Sequence, residues 1–260
     1  VYKGRVVFRG DIVKNHRGEL AVFTEQSASA SHMAAAKFMD AIARLPGNSG
    51  EDADAIGAYT QVELKDVPDL LGSQGGKEVH AETWITIPRH KWPPSWRKLG
   101  YQDPVVRLQR NLYGHPIAGL IWEKFCDRHI FNVGFERIPG WECLFVHRKL
   151  KVFLSVYVDD FRMAGRTNGL SKAWDLLRND SPKGSKGLDL EPPVPSSSNI
   201  YLGCAQSPAE ISEAEVQAKT DYLNRLTEPR DGLTVEDEKE ALISGKIQDS
   251  TNADRSRSNS

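Results

Sequence analysis

Between Leu144 and Ala164 the apolar positions gather into short runs separated by polar turns. Leu144-Phe145-Val146 and Val152-Phe153-Leu154-Ser155-Val156-Tyr157 read as a strand pair around His147–Lys151, and a further strand-like stretch leads from Asp159-Asp160-Phe161 to Ala164. Upstream, Ser29 to Arg44 is rich in helix formers, offers Ser at N-cap positions and stops at Leu45-Pro46-Gly47. Its spacing of Met33, Lys37 and Ile42 gives one apolar side, which predicts that it lies on a sheet. Lys3–Phe8 is a short strand candidate with a turn at Gly10-Asp11, and a loop at Gly47-Asn48-Ser49-Gly50 precedes a strand and turn over Ala53–Leu64. Glu82–Ile87 reads as a strand ending at Pro88, and Ile117–Phe131 as a helix after the turn Tyr113-Gly114-His115-Pro116. Residues 170–178 form a short helix candidate, Ser181–Asn199 a Pro/Ser/Gly-rich loop and Ile200-Tyr201-Leu202 a last strand. Ser212–Arg225 and Val235–Ile243 suit amphipathic helices, and Ser250–Ser260 reads as a disordered polar tail. Strands and helices intermix as in an α+β fold.

Composition then narrows the classes. The 260 residues are 39% hydrophobic and 27% charged, enough for a sizeable core, and no apolar run approaches a membrane span. The chain opens Val1-Tyr2-Lys3-Gly4 without Met or an apolar leader, so it reads as a piece of something longer, intracellular and not secreted. Cys126, Cys143 and Cys204 are too widely spaced for a zinc site or a disulfide framework. Residues 1–200 hold 27 Lys/Arg against 23 Asp/Glu, and residues 201–260 hold 7 against 12. A mildly basic body with an acidic tail permits a nucleic-acid partner.

The sharpest chemical feature is Tyr157-Val158-Asp159-Asp160 between two strand candidates. Adjacent carboxylates at a hairpin tip are hard oxygen donors suited to magnesium; Asp is equally at home on an exposed turn. Asp54, at the end of a strand candidate and five positions before Tyr59, supplies a third carboxylate. A two-metal phosphoryl-transfer site needs several such groups from different strands, because paired dications repel. Taken alone, Asp52-Ala53-Asp54 also suits a polar loop end. The seven His show no HExxH spacing, and Gly72-Ser73-Gln74-Gly75-Gly76-Lys77 lacks the spacing of a phosphate loop.

From Lys3 to about Gly203 the chain resembles the reverse transcriptase of copia-type LTR retrotransposons, through blocks that follow in the family's order. These are Lys3-Gly4-Arg5-Val6-Val7-Phe8-Arg9-Gly10, Asp54-Ala55-Ile56-Gly57-Ala58-Tyr59 and Glu82-Thr83-Trp84-Ile85-Thr86-Ile87-Pro88. Arg107-Leu108-Gln109-Arg110-Asn111-Leu112-Tyr113-Gly114, Trp122, Gly134-Phe135, Tyr157-Val158-Asp159-Asp160 and Tyr201-Leu202-Gly203 complete the series. The chain departs from the family pattern at Ile117, where Gln is usual, and at Gly119-Leu120, which stand in place of Pro-Arg.

The resemblance implies a reverse-transcriptase palm, an antiparallel sheet backed by helices, with a fingers subdomain interleaved over residues 1–205. A helical extension over 206–249 and the tail over 250–260 would follow. The implied activity is RNA-directed DNA polymerase, a nucleotidyltransferase, within a Pol polyprotein whose other domains, DNA integration among them, lie elsewhere. Asp54, Asp159 and Asp160 would be the catalytic and metal-binding residues, holding two Mg2+ ions or Mn2+. Tyr59 would lie beneath the sugar of the incoming deoxynucleoside triphosphate, and Lys3, Arg5 and Arg9 would hold triphosphate or template. Tyr157, Tyr201 and Gly203 would meet the primer and template. The implied partners are an RNA template, a DNA primer or RNA–DNA hybrid, and no membrane. Two other readings stay open: a catalytically silent retroelement remnant that still binds nucleic acid, and an unrelated α+β interaction protein with a decorative Asp pair.

Overall fold

Helix α1 (Met33–Ala43) buries Ala35, Ala36 and Met39, whereas Met33 is exposed. The sequence pattern placed an apolar side on Met33, Lys37, Ile42 and their neighbours, against a sheet; the helix does lie on the sheet, with Met39 buried and Ile42 packed beside it, while the small Ala35 and Ala36 let it settle closely. The computed structural model describes residues 7–14, 17–20, 33–74, 77–78, 82–207 and 210–227. The strand candidate at Lys3–Phe8, the start of the helix candidate at Ser29, the helix candidate Val235–Ile243 and the tail Ser250–Ser260 therefore lie wholly or partly outside the described residues. The chain divides into two compact units, Val1–Ser207 and Pro208–Ser260.

Strand β1 (Asn48–Asp54) begins where the sequence predicted a loop. Its polar residues have little strand preference of their own; pairing on both edges holds it in the sheet. Gly50 is required there, because a Cβ would come within 2.9 Å of the Ala43 Cβ and 3.1 Å of Ser196 Oγ. After a 3-10 turn at Ala58–Gln61 come α2 (Val67–Leu71), the two-stranded ribbon of β2 (Ser73–Gln74) and β3 (Lys77–Glu78), and β4 (Trp84–Thr86). Then α3 (Pro94–Lys98) precedes β5 (Val105–Arg107), which pairs antiparallel with β4.

Helix α4 (Ala118–Asn132) leads into β6 (Glu136–Arg137), β7 (Leu144–His147), β8 (Val152–Tyr157), β9 (Asp160–Arg166), α5 (Thr167–Arg178) and β10 (Val194–Pro195). A hairpin of β11 (Ile200–Tyr201) and β12 (Cys204–Ala205) follows. The main sheet has the order β10-β1-β9-β8-β7-β6, with every pairing antiparallel, so the molecule is mixed α/β. β10 lies inside the stretch read as loop: a two-residue edge strand containing Pro is too short and too weak in propensity to announce itself.

Alternation along the strands divides the sheet's two faces. On one face Leu154, Phe161 and Met163 meet Trp122, Ile121 and Ile130 of α4 and Leu170, Trp174 and Leu177 of α5 in the main core. Each such fully buried aliphatic side chain contributes about 1.5–3 kcal/mol. On the other face Met39 of α1 packs with Leu144 and Ala164. Cys126 and Cys143 are buried, Cys204 is exposed, and none of the three forms a disulfide. In the second unit α6 (Glu213–Thr227) starts with a capping box, in which Glu215 N donates to Ser212 Oγ while Ser212 N donates to the Glu215 carboxylate. No helix among the described residues is long and apolar enough to cross a membrane.

Candidate functional site

The tip of the sheet is set by the connection between β8 and β9. Tyr157 pairs with Asp160, leaving Val158-Asp159 as a two-residue hairpin loop. Val158 adopts φ 55, a left-handed conformation that is a genuine outlier for a β-branched side chain and costs about 1–3 kcal/mol. Hydrogen bonds to both loop carbonyls hold it there. Trp122 Nε1 of α4 donates to Val158 O at 2.5 Å, and Ala55 N donates to Asp159 O at 2.7 Å. The second bond ties the loop to the end of β1, where Asp54 stands.

The register places the carboxylates. Asp54 is directly opposite Asp160, and Asp160 directly opposite Tyr157, so these three residues form a row across β1, β9 and β8 on one face. Two residues deeper on the same face runs a second row, Asp52, Arg162 and Ser155. The structure thus brings Asp54 beside the Asp159-Asp160 turn from a position more than a hundred residues earlier. Burial raises the Asp160 carboxyl first, and the neighbouring charges of Asp159, Asp54 and Asp52 add to it, so that its pKa reaches about 6. The Tyr59 hydroxyl is also raised, by burial and then by the charge of Asp159 and by Tyr113, whose ring centroid lies 4.4 Å from that of Tyr59. Tyr59 therefore stands at the edge of the acidic tip, on the 3-10 turn that follows β1.

The remaining expected site residues are placed less uniformly. Lys3 and Arg5 lie outside the described residues. Arg9 is exposed and pairs with Asp11 at 3.2 Å. Its segment lies against Tyr113-Gly114: Phe8 N donates to Tyr113 O at 2.6 Å, and a Cβ on Gly10 would fall 2.0 Å from Gly114 O. Gly114, at φ 86, allows that approach. Tyr157 is half-buried in the front row. Tyr201 is buried, its ring centroid 4.0 Å from the Arg162 guanidinium carbon and its hydroxyl 3.5 Å from Ser155 Oγ, and burial pushes that hydroxyl up to about 12. In the turn of the β11–β12 hairpin Leu202 (φ 50) and Gly203 (φ 76) are both left-handed, and Ile200, Gly203, Cys204 and Ala205 are exposed.

Sequence reasoning missed the network beneath the tip. Arg162 grips Asp52 with two bonds, Nε to Oδ1 at 2.8 Å and Nη2 to Oδ2 at 2.9 Å, and gives Nη1 to Asp40 of α1 at 2.7 Å. Ser196 Oγ and Asn199 Nδ2 donate to the same Asp52 carboxylate at 2.8 and 3.1 Å, and Gln206 donates to Asp40 at 2.6 Å. The available signal was the matched spacing of Asp52-x-Asp54 and Asp160-x-Arg162. Aligning the two acids at the tip sets an Asp opposite an Arg one row down.

Among the described residues no group of three or more His, Cys, Asp or Glu is arranged to hold a metal ion. The carboxylate oxygens of the tip are hard donors of the kind a dication takes, and burial, then the neighbouring carboxylate charges, lifts Asp160.

No protein-family model matches the chain. It is 29% identical over 84 residues to the truncated transposon Ty1-A Gag-Pol polyprotein of Saccharomyces cerevisiae, covering 32% of this chain and 6% of that one. The transposon Ty1-DR4 Gag-Pol polyprotein of the same yeast gives 29% over 84 residues, with 5% of its length covered. The chain thus spans a small fraction of the curated relatives it matches, and the likeness supports an origin in a retrotransposon Pol. Among solved structures, telomerase from Candida albicans in complex with a fragment of telomeric RNA overlays 62% of this chain and 31% of its own, at 9% identity and a TM-score of 0.33. That last likeness is too slight to carry an argument.

Proposed function

We propose that this retrotransposon-derived chain is the fingers-and-palm part of an RNA-directed DNA polymerase, adding deoxynucleotides to a primer on an RNA template. The observation that carries this reading is the in-register pair Asp54 and Asp160 at the tip of an antiparallel sheet, with Asp159 in the adjoining turn. Asp54, Asp159 and Asp160 would hold the divalent cations. Bound there, such ions supply neutralisation of the triphosphate and a lowered pKa for the primer 3'-hydroxyl. Asp160, with its pKa near 6, holds a proton under mildly acidic conditions and releases it as pH rises through about 6, so the tip is close to full negative charge by neutrality. Tyr59, beside Asp159, offers a flat ring beneath the incoming sugar. Trp122 and Ala55 fix the turn so that its carboxylates need no reordering when substrate binds.

Purified chain is expected to extend oligo(dT) on poly(rA) only with magnesium or manganese present, and Asp159→Asn to remove extension. Hybrid binding that falls with salt but comes without extension would instead identify a silent remnant, the reading favoured by the departures at Ile117 and Gly119-Leu120. Absence of both would leave the acidic pair as turn decoration.

A further inference from the structure

Between Thr83 and Gln102 the chain carries Arg89, Lys91, Arg97 and Lys98 and no acidic residue. None of the four cations has a carboxylate partner among the described residues; Arg97 Nη2 donates to Arg89 O at 3.2 Å, and Arg89 lies 5.6 Å from the Trp92 ring centroid. No residue from Trp84 to Arg107 is buried. The segment shapes itself through its own aromatics. Trp92 and Trp96 meet edge to face at 6.2 Å, Trp96 and Tyr101 at 6.4 Å, and Trp92 Nε1 donates to Ile87 O at 2.7 Å.

Around that cluster large apolar surface is left open. Trp84 is 58% exposed and Tyr101 49%. On the β4–β5 ribbon Trp84 stands opposite Arg107, which pairs with Glu82 at 3.6 Å, and Thr86 opposite Val105, so an aromatic and an apolar side chain share one outward face. Exposed rings beside unpaired cations are costly to leave in water and useful to a ligand that is flat, apolar on its faces and anionic along its backbone. Nucleobases on a phosphodiester chain meet all three requirements. The bases must be unpaired, since a duplex hides their faces.

We propose that the segment Trp84–Tyr101 is a binding surface for single-stranded nucleic acid, separate from the carboxylate tip and independent of any catalysis there. Trp84 and Tyr101 stack on bases, while Arg89, Lys91, Arg97 and Lys98 neutralise phosphates.

The test uses the full chain and a fluorescein-labelled 15-nucleotide oligo(U), followed by anisotropy and by quenching of tryptophan emission at several salt concentrations. Trp84→Ala with Tyr101→Ala is expected to weaken binding about tenfold or more with the salt slope unchanged, and Trp84→Phe, which keeps a stacking ring, to restore most of the affinity. Lys91→Gln with Lys98→Gln is expected to lower the slope of log K against log salt by about 1.4. Binding of oligo(U) is expected to be unchanged in EDTA, where any divalent-dependent extension is absent, so loss of extension alone leaves this proposal standing. The proposal is overturned if wild-type chain fails to bind the oligonucleotide, or if the folded double variants, checked by circular dichroism, bind undiminished. It is overturned equally if blunt duplex or an acidic peptide competes as well as oligo(U).

Discussion

Arg162 and Arg97 carry the same guanidinium in opposite settings. Arg162 is buried on the sheet face, satisfied by two bonds to Asp52 and one to Asp40 and covered by the Tyr201 ring. Arg97 is exposed, and its guanidinium gives one hydrogen bond, from Nη2 to the backbone carbonyl of Arg89. A charge taken out of water must find its counter-charge inside the fold, so the first is architecture: it locks β1 to β9 one row below the acidic tip. A charge left in water without a partner adds little to stability and stays available to a ligand. The tip itself lies between these extremes, for Asp54, Asp159 and Asp160 are held near one another at the end of the sheet, while the cation beneath engages Asp52 and Asp40. Such an arrangement stores repulsion, as the raised Asp160 carboxyl reports.

The contrast breaks most visibly at its buried end. Asp52→Ala leaves the buried Arg162 guanidinium with Asp40 as its one remaining carboxylate partner and is expected to cost about 3 kcal/mol in urea denaturation; a loss below about 1 kcal/mol would mean that water reaches the pair. Trp122→Phe keeps the ring and removes the donor to Val158 O, for an expected loss of about 1–3 kcal/mol together with release of the hairpin turn. A hydrogen-exchange rate for the Ala55 amide equal to that of the wild type would show that this bond does not hold the turn.

Asp160→Asn sharpens the comparison in the other direction, because it should stabilise. The folded carboxyl, near 6, titrates above its ordinary 3.8, so the folded state binds the proton more tightly. Stability associated with that proton is full below the unfolded value and is lost as pH rises through about 6. Asp160 is half exposed, so after discounting for solvent screening the gain from Asn at pH 7.5 is about 1 kcal/mol, seen as a higher Tm that converges with wild type near pH 4. A gain that persists unchanged at pH 4 would point to packing instead of charge. Smallest of all, Lys91→Gln with Lys98→Gln should leave the denaturation midpoint within about 0.5 kcal/mol of wild type while binding weakens; a larger loss would show that these cations do support the fold.

Much of this was legible in advance where one segment's own pattern sufficed. The strands from Leu144 to Ala164 and the helices near Ile117 and Ser212 lie close to their expected bounds, because strong propensity and turn residues agree there. β1 and β10 were misread since Asn48-Ser49-Gly50-Glu51-Asp52 and Val194-Pro195 carry no strand signal of their own. The family resemblance implied a place for Tyr201 at the primer and template, and its burial against Arg162 and Ser155 could not be read from its own segment. Likewise Asp52 read as a loop polar until its strand register gave it a counter-charge.

By itself, then, the sequence determined which residue types the protein has to work with: a carboxylate pair after an apolar strand, a third acid upstream, and a run of cations and aromatics free of acid. Tertiary structure decided which of them meet. Asp52 and Arg162 are 110 residues apart, and nothing local distinguishes an Asp that will be buried against Arg from one that will face water. Register settles that, because side chains alternate faces along a strand and a shift of one residue would send Asp54, Asp160 and Arg162 to the opposite side of the sheet.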